Sequence, residues 1–121
     1  MSTLEPENFP TLSQFFDEDD WQEQVETSLK ALAQQRPEFV YKPIESACYY
    51  ANGDNCHGCI FGQALAMCGI PQEEISQLDK LESSAIDKVL EFFGLICPEK
   101  WESVQMSQDN SNDWKSSVSF L

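Results

Sequence analysis

A mainly α fold, about five helices with a small two-stranded β ribbon in a single compact domain, is predicted by three features of the chain. Apolar residues recur at helical spacing in several separate stretches, beginning with Trp21, Val25, Leu29 and Leu32. Glycine and proline stand where helices end and begin, at Gly69 and Pro71 and again at Gly94 and Pro98. One stretch, FVYKPIESACYYANGD, loosely alternates aromatic and β-branched residues and closes on the turn signal Asn52-Gly53.

Taken in order, residues 1–12 hold Pro6 and Pro10, lack periodicity and read as an irregular N-terminal arm, with Phe9 and Leu12 as its anchors. The α-rich domain then spans 13–121. Its first helix runs over 19–35 and stops before Pro37, and Asp17, Glu18, Asp19 and Asp20 stand at its positive end. The ribbon is placed at 39–42 and 47–51, with Pro43 implying an edge position. Ile60, Ala64, Leu65 and Cys68 mark the next helix, ended by Gly69 in a left-handed conformation. A short helix follows from Pro71 to Leu78. Ser83 or Ser84 caps another that buries Ala85, Ile86, Val89, Leu90 and Phe93 and ends at Gly94. Pro98 opens a helix carrying Trp101 and Val104. QDNSNDW breaks it, and Asn112 or Asp113 caps a last helix with Trp114, Val118 and Leu121 on one side.

Length and composition bound the function. The 121 residues are enough for one domain with its own core. Seven Lys and Arg against 21 Asp and Glu give a net charge of -14, which argues against direct binding to nucleic acid phosphates or to anionic membranes. The partner such a surface attracts is a basic protein. No signal peptide or membrane span is read in the sequence, so the expected location is cytoplasmic, where thiols stay reduced.

The stretch CYYANGDNCHGCIFGQALAMCG holds four of the five cysteines and the only histidine. A structural zinc site would use Cys48, Cys56, His57 and Cys59, built on the C-x-x-C pair 56 and 59. Cys68 is excluded from that set, because nine helical steps of about 1.5 Å hold it roughly 13 Å from Cys59, whereas ligands of one zinc lie within about 4 Å of each other. A thiol oxidoreductase would use Cys56 as the attacking thiol. The simplest account is packing: Cys59, Gly62, Ala64, Ala66 and Cys68 keep a helix slim so that its neighbours approach closely. No nucleotide-binding loop, nucleophile elbow or acid/base pair stands out, and a non-enzymatic protein without a required cofactor is expected.

Gly58, Cys59, Gly62, Ala64 and Leu65 form a G-C-x-x-G-x-A-L pattern, and Gln108, Asp109 and Trp114 form Q-D-x-x-x-x-W. With these two segments the chain resembles a group of small uncharacterised proteins of phages and their bacterial hosts, over about residues 40–118. The resemblance implies a fold and a phage-linked setting; it brings no activity or catalytic residues. Cys48, Cys56 and Cys68 lie outside the shared pattern.

The first 29 residues hold eight acids and no base. Asp19, Glu23 and Glu26 fall at i, i+4 and i+7 on one helix face, spaced by about 5 to 6 Å, comparable with the spacing of phosphates along a strand. The expected function is therefore that of an acidic interaction protein, a phage-encoded inhibitor that imitates DNA and blocks a basic nucleic-acid-binding host protein in an anti-defence role such as anti-CRISPR or anti-restriction. Asp17, Asp19, Asp20, Glu23 and Glu26 are its partner-binding residues. A second version places the hot spots on exposed aromatics, Phe15 and Phe16 or Tyr49 and Tyr50.

Overall fold

A computed structural model describes residues 5–40, 59–81, 85–110 and 112–121. Among them run α1 (Pro10–Phe16), α2 (Trp21–Gln35), α3 (Ile60–Met67), α4 (Gln72–Leu78), α5 (Ile86–Phe92), α6 (Glu99–Asp109) and α7 (Trp114–Val118), preceded by one 3-10 turn (Pro6–Asn8). The expected count of about five helices is thus too low.

Much of the shortfall lies at the start of the chain. Residues 6–8 and 10–12, expected to be irregular, form the 3-10 turn and the first turn of α1. Pro10 at the first helical position needs no N–H donor there, and it suits a helix start. Phe9 and Leu12 are fully buried, and so are most of Phe15 and Phe16. The two phenylalanines offered as exposed hot spots are therefore core residues.

The ribbon is not found among the described residues, where there is no strand. Val40 makes a single antiparallel bridge, and its partner is Asp113, not a hairpin neighbour. Phe39 and Pro37 carbonyls accept from the N–H groups of Trp114 and Lys115 at 3.0 Å each. The chain leaving α2 thereby satisfies donors at the start of α7 that have no partner within their own helix. Residues 41–42, the whole 47–51 segment and the Asn52-Gly53 turn lie outside the described residues.

Helix ends follow the sequence closely where glycine decides them. Gly69 and Gly94 take φ of 93° and 77°. In each case the residue beyond donates back across the turn, Ile70 N–H to Leu65 and Leu95 N–H to Leu90. These are Schellman closures, and the apolar residue after the glycine folds back toward the helix. Asp113 caps α7 through Ser116 N–H at 2.8 Å. Ser83 and Ser84, expected to cap α5, lie outside the described residues.

The helices pack round one core in which α2 lies along α3 and α7, and α6 joins α3, α5 and α7. Cys59, Gly62 and Ala64 are buried, as a slim α3 requires, whereas Ala66 faces solvent. A chain of ring contacts ties the elements together. Phe61 meets Trp101, Trp101 meets Trp21, Trp21 meets Phe16, and Phe16 meets Phe93, all with centroids 5.0 to 5.7 Å apart. A separate pair, Phe39 and Trp114 at 4.5 Å, joins the segment after α2 to the start of α7, with the Arg36 guanidinium 5.2 Å from each ring.

Three helix starts are closed from elsewhere in the chain. α1, α3 and α5 make no side-chain cap of their own. Glu74 of α4 accepts from Thr11 and Leu12 N–H at 3.1 and 2.8 Å. Gln108 of α6 accepts from Ile60 N–H at 2.6 Å, and Gln105, one turn earlier, accepts from Ile86 N–H at 2.7 Å. One face of α6 therefore secures α3 and α5 together.

Candidate functional site

The turn from α1 into α2 carries Asp17, Glu18, Asp19 and Asp20, all exposed. None of these four side chains caps the first turn of α2; Asp20, at the capping position, instead accepts from Gln24 Nε2 at 2.9 Å. The charges are left facing water near the positive end of a helix, where they are favoured without being bound. Glu23 is exposed on the first turn of α2.

Four of the five predicted partner-binding acids come together. Asp19, Asp20, Glu23 and Glu26, with Gln22, line one open depression of about 370 Å3. Asp17 stands outside it. No ion pair joins Asp17, Glu18, Asp19, Asp20 or Glu23 to a cation among the described residues, where the two salt bridges are Lys88 to Glu91 and Lys100 to Glu26.

Glu26 behaves differently from the rest. Its carboxylate accepts from the buried Trp101 Nε1 at 2.8 Å and from Gln22 Nε2 at 3.3 Å, and it pairs with Lys100 at 3.3 Å. Burial works to raise its pKa, but the hydrogen bonds from Trp101, Gln22 and Lys100, with the Lys100 charge, outweigh it and hold the group below its ordinary 4.5. Glu26 thus forms the inner edge of the depression while tying α2 to α6.

Of the predicted metal set, Cys48, Cys56 and His57 lie outside the described residues. Cys59 is fully buried at the start of α3 and belongs to the apolar core. Among the described residues no three His, Cys, Asp or Glu side chains gather in a way that would hold a metal ion. Burial raises the Cys68 thiol against the opposing hydrogen bond with Ser28, and the Glu18 charge adds to the rise. Burial, then Glu102 and Asp87, push Cys97 up to about 12. Neither thiol is a ready nucleophile at neutral pH.

Sequence reasoning did not assign Met67 and Cys68 to this surface. They end α3 beside the acidic turn and share a second depression with Asp20 and Glu23. The available signal was an apolar Met at the last helical position before a Gly stop. No helix among the described residues is long and apolar enough to cross a membrane. No family model, no curated protein and no solved structure matches the chain.

Proposed function

We propose that the protein is a non-enzymatic acidic inhibitor that occupies the DNA-binding surface of a basic host protein, in the phage-linked, anti-defence setting that its motifs resemble. The observation carrying this reading is the exposed run Asp17 to Asp20 with Glu23, one-signed, concave beside Asp19 and Asp20, and without a described counter-cation. Carboxylates left unpaired at that density repel one another and add nothing to packing, which fits a surface kept for a cationic partner. The mimicry is electrostatic, so binding falls steeply as salt rises.

The test is competition. Purified protein is titrated into complexes of labelled DNA with a panel of basic host proteins, repressors, restriction enzymes and CRISPR effectors, at low and moderate salt. Release of DNA from one of them near stoichiometry, lost at higher salt and lost in the Asp19→Lys, Asp20→Lys, Glu23→Lys variant, is the expected result. Glu26 is left unchanged because it supports the fold. Release that survives those three substitutions, or no release from any member, overturns the reading.

A further inference from the structure

The acidic depression has a neighbour of another character. Where α2 meets the C-terminal end of α3, a groove of about 290 Å3 opens, and Asp20 and Glu23 line it as well, so these two carboxylates form the wall between the two hollows. The side contributed by α3 is not acidic. It consists of Met67, 47% exposed, and half-buried Cys68, whose Sγ lies 3.5 Å from Ser28 Oγ. Gln24 Nε2 holds one oxygen of Asp20 and so orients that carboxylate.

An occupant must satisfy both sides at once. The wall calls for a cation, and a half-exposed thioether calls for apolar contact; an unbranched Met is the side chain best able to adapt to such contact. A metal ion meets only the first demand. Among the described residues no group of three suitable ligands gathers, and a hard, hydrated cation gains nothing from the thioether side of the groove. A lysine ammonium is compact and strongly hydrated, and loses more on entering a half-apolar groove. Arginine meets both demands. Its methylene stem lies along apolar surface while a planar, weakly hydrated fork reaches carboxylates one turn apart.

The geometry points to this groove as a subsite for one arginine side chain of a basic protein partner, seated on Met67 and Cys68 and held by Asp20 and Glu23. The inference rests on the acidic interaction face proposed above and names the side chain that the face selects. It divides recognition into a salt-sensitive part on the open acidic depression and a less salt-sensitive part at Met67.

Capped hexa-arginine and hexa-lysine peptides, added separately to protein labelled at its methionine methyl groups, test it by NMR. The expected result is that hexa-arginine shifts the Met67 methyl and binds about fivefold tighter than hexa-lysine, with the methyl of Met106, exposed on α6, unmoved. Met67→Ala then removes the preference for arginine and leaves hexa-lysine binding in place. Equal binding of the two peptides, or a silent Met67 methyl, overturns the subsite even where DNA release in the competition assay succeeds. An arginine preference at Met67 with no DNA release from any host protein keeps the subsite and removes the mimicry.

Discussion

Glu26 shows how far charge and spacing reach at the scale of a residue. Its position at i+7 from Asp19 groups it with the acidic face, and it does edge the depression there. Yet its side chain is only 16% exposed, because Trp101 and Lys100, distant in sequence, arrive on the same side of α2. No local pattern announces that arrival, whereas Asp17, Asp19, Asp20 and Glu23 stay in water, as charges on a helix start ordinarily do. Glu26→Ala strands the buried Trp101 N–H, and an unfolding titration in denaturant should show a loss of about 2 kcal/mol. Glu26→Gln keeps an acceptor for Trp101 and loses the ion pair, for a cost of about 1 kcal/mol or less. The pH dependence has a definite sign. The folded pKa lies below 4.5, so the charge-dependent stabilisation is fully present above 4.5 and disappears as pH falls through the lowered folded value. The stability gap between wild type and Glu26→Gln should close over that acid range and stay constant at neutral pH.

At the scale of the element, glycine and proline punctuation was legible in advance, and the capping chemistry was only partly so. Gly69, Gly94 and Asp113 do what their residue types suggest, since each acts within its own turn. The starts of α1, α3 and α5 are secured by Glu74, Gln108 and Gln105, acceptors supplied by other helices. Gln105 and Gln108 lie on the same face of α6 as Trp101 and Val104, and all four are buried. Read locally, two glutamines there look like a polar interruption. The structure makes them ties between helices, and Gln108 closes the start of the helix that begins after Cys59. Gln108→Ala leaves the Ile60 N–H buried and unpaired, and Gln105→Ala does the same to Ile86. Each should cost about 1 to 3 kcal/mol. Amide exchange should accelerate in the first turn of α3 for the former and of α5 for the latter, separating the two effects. Missing α1 had a different cause. Leu12, Phe15 and Phe16 do follow a helical stripe after Pro10, with Phe9 just before it, but it is only two turns long, and the prolines around it read first as breaks.

At the scale of the whole molecule, a net charge of -14 on 121 residues is a burden on the folded state, which holds like charges closer together than the unfolded chain does. Raising salt from about 10 mM to about 150 mM shortens the screening length from about 30 Å to about 8 Å, so the thermal midpoint should rise. The Asp19→Lys, Asp20→Lys, Glu23→Lys variant should melt close to wild type at low salt, because the loss of carboxylates favoured at the start of α2 and of the Asp20–Gln24 hydrogen bond is offset by the relief of like-charge repulsion. A lower midpoint in that variant would mean that the acids serve the fold. A mainly helical chain, most of its helix ends and its strongly negative net charge were determined by the sequence itself, because they depend on periodicity within a turn or two and on summed charge. Tertiary structure alone decided that Phe15 and Phe16 are core, that Glu26 turns inward, that Val40 meets Asp113, and that Met67 lies beside Asp20 and Glu23. Each of these depends on which distant segment arrives to bury an apolar surface or satisfy an unpaired polar group, and that information is spread over the whole chain.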